Sequence, residues 1–337
     1  MRIGIDGRKL ADFGIGTYIR GLLGGLAEIA TDETIVVFAP AAARSLIPAA
    51  FEHVVLDAPH YSLRELLVVG KAADAAKLDV FHAPHYVVPA TRVPLVVTVH
   101  DLIHLRHRNP LGRTYARMMI GRAVRRARRV LTVSEAVRAD IAATFGAADK
   151  IVVTPNGIDA VFRANGPRAI GRYLLFAGND KPHKNVERLV EAFARVRAQE
   201  PAVQLVLAGG AFERFAAREG VVIAGFVQTS EELATLMRGA RALVQPSLEE
   251  GFGLPAAEAM ACGTPVITSL APALVEVTGD AALHADATSV DALRDAMLRV
   301  LRDEALQESM RVRGIARAAS FSWRRCAEIT LAAYRSA

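Results

Sequence analysis

The nineteen residues EEGFGLPAAEAMACGTPVI, Glu249–Ile267, follow the apolar run Ala242–Gln245 and read as loop, helix and strand in immediate succession. Pro255 suits the first turn of a helix, where a missing N–H costs nothing, and the Ala-Ala-Glu-Ala-Met-Ala run behind it is strong helix former. A helix therefore starts near Leu254. Strand, glycine-bearing turn, helix and strand again form the repeating unit of an α/β domain. The Gly251-Phe252-Gly253 loop leaves backbone N–H groups uncovered at the positive end of the helix dipole, which suits a phosphate or diphosphate. Glu250 falls in the loop and Glu258 about one turn into the helix, so both carboxylates can address one ligand at that mouth. Because carboxylates repel phosphate, they are read as facing hydroxyls, one near a sugar ring and one near a ribose. An ordinary strand-to-helix connection with a solvated Glu250 fits the same residues.

The same alternation extends in both directions. Short β-branched runs at Ile3–Asp6, Ile35–Ala39, Val80–His82, Leu95–Val99, Val130–Val133 and Ile151–Val153 are separated by helical patterns. After the Asn156-Gly157 turn signal and a weakly patterned stretch to Arg172, it resumes at Tyr173–Gly178, Gln204–Ala208, Val221–Ala224, Ala242–Gln245 and Pro265–Thr268. Such a pattern predicts two doubly wound parallel sheets joined near Arg163–Gly171. A chain of 337 residues also exceeds what one core usually supports. The expected division is residues 1–165, residues 171–320 and a terminal helix over 321–337. Open sheets of this kind bind ligands at the carboxyl ends of their strands, so a site formed jointly by both domains is expected in a cleft between them.

Composition excludes several classes. No window approaches the roughly 18 uninterrupted apolar residues of a membrane span, and MRIGIDGRKL is no secretory signal, so a cytoplasmic protein is expected. Cys262 and Cys326 fit no metal spacing and give no reason for a disulfide. Net charge is +6, and residues 1–168 hold 22 Lys and Arg against 15 Asp and Glu, which leaves 19 against 20 for the rest. Most of the surplus is Arg106, Arg108, Arg113, Arg117, Arg122, Arg125, Arg126, Arg128 and Arg129, on a helix that also carries Tyr115, Met118, Met119, Ile120 and Val124. Such a helix can rest on an anionic membrane or hold an acidic acceptor, and it can equally be a solvated face. Nucleic acid is not expected, because aromatic residues, 6% overall, do not interleave with the basic run.

Three further segments place chemistry at strand ends. Phe13-Gly14-Ile15-Gly16-Thr17-Tyr18 opens a helix, and Gly14 and Gly16 allow close backbone approach to a ligand. It is not a dinucleotide fingerprint, because the third glycine position is Ile19. His100-Asp101 ends the strand Leu95–Val99, where His100 could donate to a sugar hydroxyl or stabilise charge near a leaving group. Ser134, after the next strand, reads as a helix N-cap with Glu135 in the first turn. In LLFAGNDKPHKNVERLVEAFARV, Lys184-Asn185 stand just ahead of an amphipathic helix, where a lysine can neutralise a diphosphate without a metal. No Asp-x-Asp pair occurs to hold a divalent cation, so lysine and helix dipole would have to substitute for it.

As a set, these residues resemble retaining glycosyltransferases of family 4, which have the GT-B fold, nearly end to end. The likeness is carried by GIGTYIRGL (Gly14–Leu22), FHAPHYVVP (Phe81–Pro89), VTVHDLIHL (Val97–Leu105), LTVSEAVRADI (Leu131–Ile141) and VTPNGID (Val153–Asp159). In the second half it is carried by FAGNDKPHKNVERLVEAF, by GFV at Gly225–Val227 and by the Glu-x7-Glu element of LVQPSLEEGFGLPAAEAMACGTPVI. The resemblance implies a nucleotide-sugar donor, transfer with retention at the anomeric carbon, no divalent metal or other cofactor, and a glycan or lipid-linked acceptor chosen by first-domain loops such as Asp57–Arg64 and His104–Arg113. It places Gly16 against the donor phosphates or sugar, His100 at the reaction centre and Lys184 on the diphosphate. Glu250 is implied to contact the transferred sugar, the backbone at Phe252-Gly253-Leu254 its hydroxyls and the phosphates, Glu258 the ribose, and the backbone around Phe226-Val227 the base. The terminal helix around Trp323–Tyr334 is implied to cross back to the first domain.

Where the family often has Arg after the strand-ending glycine, this chain has Asn179, and His183 precedes Lys184 where Arg is common. One positive charge fewer on the diphosphate leaves Lys184 alone or helped by Arg8, Lys181 or Arg20. Loops of the LEPRKN kind, to which NDKPHKN is similar, occur often in mannosyltransferases and favour GDP-mannose. A nucleotide-sugar epimerase of the same architecture and a non-catalytic nucleotide-binding subunit are the alternative readings. The first would need acid and base groups around the sugar C2, and the second is opposed by the intact His100, Lys184, Glu250 and Glu258.

Overall fold

A computed structural model describes residues 1–12, 14–58 and 63–337, so Phe13 and the middle of the Asp57–Arg64 loop lie outside the described residues. The chain forms two compact units, Met1–Gly157 with Ser322–Ala337, and Ile158–Phe321.

In the first unit the strands β1 (Arg2–Asp6), β2 (Thr34–Ala39), β3 (Glu52–Val55), β4 (Val80–Ala83), β5 (Leu95–Thr98), β6 (Arg129–Thr132) and β7 (Ile151–Val153) lie in the order β3-β2-β1-β4-β5-β6-β7. Every neighbouring pair is parallel. Helices α1 (Ile15–Ile29), α2 (Leu63–Ala75), α3 (Pro110–Arg126) and α4 (Glu135–Phe145) connect them. The sheet is buried on both faces, which is why its strands read as continuous apolar runs. Successive residues go to opposite cores: Val37, Val96 and Leu131 join one cluster, while Val36, Phe38, Leu95, Val97 and Val130 join the other. Each fully buried aliphatic side chain of this kind contributes about 1.5–3 kcal/mol.

In the second unit β8 (Tyr173–Asn179), β9 (Gln204–Gly210), β10 (Val221–Gly225), β11 (Ala242–Gln245), β12 (Val266–Ser269) and β13 (Leu283–Ala285) lie in the order β10-β9-β8-β11-β12-β13, again parallel throughout. Its helices are α5 (Val186–Arg197), α6 (Ser230–Gly239), α7 (Leu254–Ala261), α8 (Pro272–Thr278), α9 (Val290–Arg302) and α10 (Glu304–Ala318). Both units thus repeat one doubly wound topology, with strand order reversing between β1 and β4 and between β8 and β11. Ligands of such sheets bind outside the carboxyl ends of the strands at that reversal.

The units divide at Gly157, earlier than the sequence pattern predicts. Residues 158–165 belong to the second unit because Arg238 of α6 donates to the carbonyls of Val161, Arg163 and Pro167. Helix α11 (Trp323–Arg335) belongs to the first unit and packs on α1. A Cβ at Gly21 would stand 2.0 Å from the Trp323 ring, and one at Gly25 would stand 2.3 Å from the Trp323 carbonyl oxygen. Close helix contact therefore depends on those two glycines.

The basic helix is shorter than its run of arginines, since α3 spans Pro110–Arg126 and leaves Arg106, Arg108, Arg128 and Arg129 outside. Met119, Ile120 and Val124 are buried, whereas Leu111, Tyr115 and Met118 are exposed. Arg122 and Arg126 donate to the carbonyls of Val88 and Thr91, which is structural work. Ser134 caps α4 by accepting from Val137 N at 3.2 Å, as the sequence predicts.

Candidate functional site

The reversal between β8 and β11 gathers the second unit's polar groups. Past Asn179, which is exposed, the chain makes a short 3-10 turn, Pro182–Lys184. Asn185 then adopts a left-handed conformation at φ 60°. Its side-chain nitrogen donates to the carbonyls of Pro246 (3.2 Å) and Ala287 (2.8 Å), and Leu248 N donates to the His183 carbonyl at 2.7 Å. The loop after β8 is thereby fastened to the loop after β11, and Lys184 meets Glu250.

Lys184 Nζ stands 2.6 Å from Glu250 Oε1, and the same oxygen accepts from Gln245 Nε2 (2.8 Å) and Ser247 Oγ (2.7 Å). Burial works to raise the Glu250 carboxyl, but the Lys184 charge and the three hydrogen bonds outweigh it and hold the pKa below its ordinary value. Gln245 and Ser247 were not singled out from the sequence. Their position, at and just after the end of β11, was the available signal, since strand ends at the reversal are where site residues collect.

Helix α7 begins at Gly253 with no side-chain cap, no acidic residue in its first turn and Pro255 in the first turn. Gly253 has φ 92°, and a Cβ there would stand 2.4 Å from Leu274 Cδ2, so no other residue fits without strain. By contrast α6, α9 and α10 are capped by Thr229, Ser289 and Asp303. The bare positive end of α7 therefore stands just behind the Lys184–Glu250 pair, and Gly251, Phe252 and Gly253 are buried around it. The Phe252 ring itself packs edge-on against Phe321, so only its backbone can serve a ligand.

Glu258 is 8% exposed, and its carboxyl is pushed up to about 8 by burial and by the nearby Asp159 charge. This corrects the expectation of two carboxylates. At neutral pH Glu250 is ionised and Glu258 holds its proton, so it offers a hydroxyl donor as well as an acceptor. The sequence could not show this, because both the burial of Glu258 and the approach of Asp159, 99 residues earlier in the chain, come from the fold.

On the other side of β8, Phe226 follows β10 and is 59% exposed, with Val227 half-buried behind it. Its ring lies over Gly210 at the end of β9, where a Cβ would come within 2.9 Å of it. Three strand spacings of about 4.8 Å, roughly 14 Å in all, separate β10 from β11. The exposed aromatic ring and the Lys184–Glu250 pair thus stand at opposite ends of one row of strand termini. Among the described residues, no three or more His, Cys, Asp or Glu side chains stand together as a metal-binding group.

In the first unit His100 follows β5, half-buried. Its Nε2 donates to the Pro84 carbonyl at 2.9 Å, and a carbonyl can only accept, so the tautomer is fixed with Nδ1 left as an acceptor. Burial, and secondarily His85, lower its pKa against the opposing pull of the Pro84 carbonyl and Asp101. In the neutral ring the N–H is thus spent on Pro84, so the expected donation to a sugar hydroxyl is not what this arrangement offers: the ring presents a lone pair. Asp101 accepts from Ile103 N at 3.0 Å and shapes the turn.

Gly14 and Gly16 open α1, which likewise has no side-chain cap. Gly14 has φ 69° with open space where a Cβ would be, whereas a Cβ at Gly16 would stand 2.8 Å from the carbonyl oxygens of Lys9 and Leu10. Gly16 is thus needed for packing against the preceding turn. Arg8 and Arg20, considered as helpers of Lys184, are occupied locally: Arg8 donates to Asp6 and Glu65, and Arg20 to the Leu10 carbonyl.

Comparisons with known proteins agree with this anatomy. Residues 14–162 match the model of Glycosyltransferase Family 4, and residues 158–317 match that of Glycosyl transferases group 1. The chain is 33% identical over 286 residues to the O-antigen chain mannosyltransferase B of Escherichia coli, covering 76% of this chain and 74% of that protein. It is 35% identical over 271 residues to the MMP alpha-(1->4)-mannosyltransferase of Mycolicibacterium hassiacum, covering 72% and 66%. Among solved structures, Anabaena Alr3699/HepE in complex with UDP and glucose superposes with a TM-score of 0.81 over the whole of both chains at 21% identity, a likeness of fold. With two doubly wound units and relatives of this identity and coverage, the chain belongs to glycosyltransferase family 4 and has the GT-B fold.

Proposed function

We propose that this glycosyltransferase moves a hexosyl group, mannose from GDP-mannose, to a glycan or lipid-linked acceptor with retention at the anomeric carbon and without a divalent metal. The observation that carries the reading is the Lys184–Glu250 pair at the reversal of the second sheet, backed by the uncapped start of α7. A donor diphosphate there exchanges the Glu250 carboxylate for phosphate oxygens as the partner of Lys184, and the freed Glu250 accepts from sugar hydroxyls. The aromatic face of Phe226 meets the base, and Glu258 meets the ribose.

Glycosidases that work by double displacement place two carboxyl groups about 5 Å apart on opposite sides of the sugar. Glu250 and Glu258 belong to one loop and the helix that follows it, which supports same-face transfer instead. The anomeric C–O bond to phosphate breaks, the acceptor oxygen bonds to the same face, and its proton passes to the departing phosphate oxygen. Lys184 and the α7 terminus stabilise the charge that develops on that phosphate. Mannose is supported by the names of the two relatives above.

The first experiment incubates the protein with GDP-mannose, UDP-glucose and UDP-N-acetylglucosamine separately, with EDTA, and follows slow donor hydrolysis and thermal shift. Cleavage and stabilisation by GDP-mannose are expected. Activity only with a UDP-sugar would overturn the donor, and activity only after adding a divalent cation would overturn metal independence.

We further propose that α3 rests on an anionic membrane surface. No helix among the described residues is long and apolar enough to cross a membrane. Leu111 (84% exposed), Tyr115 (37%) and Met118 (58%) fall at i, i+4 and i+7 and share one face, which exposed Arg125 extends seven residues beyond Met118. Leu111→Ser with Met118→Ser is expected to lower partition onto vesicles containing phosphatidylglycerol by roughly tenfold. Undiminished flotation of that variant would remove α3 from the membrane contact.

A further inference from the structure

Four polar side chains in the core of the first unit form a chain that the donor reading leaves unused. The Tyr334 hydroxyl, in the last turns of α11, lies 2.6 Å from Nδ1 of His82 in β4. Nε2 of His82 lies 2.8 Å from Thr98 Oγ1 in β5, and the Tyr18 hydroxyl in α1 shares a hydrogen bond of 3.1 Å with the same Thr98 oxygen. None of the four is more than 1% exposed. Polar groups buried this deeply are costly unless fully bonded, and a connected chain of them fixes one arrangement of the elements it joins.

The chain ends at His100. The Tyr18 ring stands edge-on to the His100 imidazole, with centroids 4.8 Å apart and planes at 81°. His82 is neutral, its pKa pushed down to about 3 chiefly by burial, so one of its nitrogens donates and the other accepts. Hydrogen bonds can then run in one direction from Tyr334 to Tyr18 or the reverse, and either way the Tyr18 ring is held by its hydroxyl. Trp323, at the other end of α11, packs on Gly21 and edge-on to Tyr18 itself, with centroids 6.3 Å apart. The C-terminal helix thus grips α1 at Trp323 and its neighbouring sheet at Tyr334. Between Pro84, which accepts from Nε2, and the Tyr18 ring, which abuts the imidazole, the plane of His100 and the direction of its Nδ1 lone pair are set.

We infer that Tyr334, acting through His82, Thr98 and Tyr18, is a positioning residue for His100, so that the C-terminal helix holds the reaction-centre imidazole at its working angle. The inference rests on the reading of His100 as a group at the reaction centre. A neutral imidazole that serves by its lone pair depends on direction more than a charge would, and a misplacement of this kind costs about ten- to a hundredfold in turnover.

Tyr334→Phe removes one oxygen and keeps the ring. It is expected to lower kcat for GDP-mannose hydrolysis about tenfold, with KM and thermal stabilisation by GDP unchanged. The deciding readout is the double variant: Tyr334→Phe in a His100→Ala background should cost nothing more, because the group it positions is gone. Thr98→Val should behave in the same way. Wild-type kcat in Tyr334→Phe, or a loss of equal size in both backgrounds, overturns the inference, the second because the network then supports the fold at large. Wild-type kcat in His100→Ala alone would instead overturn the reading of His100, and the inference would fall with it.

Discussion

Lys184→Ala is expected to lower kcat/KM for sugar transfer by roughly 10²- to 10³-fold, the loss seen when one preorganised donor to a developing oxyanion is removed. The effect has two parts that a second variant separates. In the ligand-free protein Lys184 is the charge that keeps Glu250 ionised against its burial, with side-chain exposures of 18% and 8% for the pair. Removing one partner of such a pair leaves the other charge buried, at a cost of about 3 kcal/mol. Lys184→Ala should therefore also lose stability, most visibly above the ordinary carboxylate range. Its pH profile should lack the acid-side loss that wild type shows as the lowered Glu250 pKa is crossed downward. Adding Glu250→Gln to Lys184→Ala removes the stranded carboxylate and should recover the melting temperature, while GDP, which lacks the sugar that Glu250 would meet, should still bind weakly. If GDP affinity recovered too, Lys184 would serve only to neutralise Glu250, and its role toward the diphosphate would be lost.

Local sequence carried the fold wherever strands are long and buried on both faces. Val36–Phe38 and Leu95–Val97 are apolar without a break because both neighbouring cores take a share of each strand. The two strands missed, Glu52–Val55 and Leu283–Ala285, are sheet edges of four and three residues in which only Ala285 is buried, so they carry no such run. The unit boundary was hidden for a different reason. Gly157 and the 158–167 segment are placed by Trp323 and Arg238, which are distant in sequence and act through backbone carbonyls and close approach, and neither leaves a periodic trace. At the site, residue identity was legible and ionisation was not. Glycine, proline and the paired glutamates announced the α7 terminus, but the protonation of Glu258 follows from its burial and then from Asp159, and the tautomer of His100 from the Pro84 carbonyl, all of which only the fold supplies.

That difference in ionisation yields the second large effect. Glu258 titrates from its ordinary 4.5 in the unfolded chain to about 8 in the folded one, so the folded state keeps a proton that the unfolded state has released. Stability from this group is complete below about pH 4.5 and is lost as pH rises through 8. The slope approaches 1.4 kcal/mol per unit, and the total is roughly 5 kcal/mol. Glu258→Gln, an uncharged isostere, is expected to flatten that alkaline fall and to be the more stable protein at pH 9, with little difference at pH 5. Urea unfolding of both at the two pH values checks this, and parallel curves would mean that Glu258 is already ionised in the fold. Ligand binding then tests the role of the same group. If a ribose hydroxyl donates to Glu258, the bound state favours the carboxylate, and GDP binding at pH 7 should release close to one proton, measurable as a dependence of the calorimetric enthalpy on buffer ionisation. Binding without proton release would mean that Glu258 keeps its proton and donates to the ribose instead, and affinity would then fall as pH rises past 8.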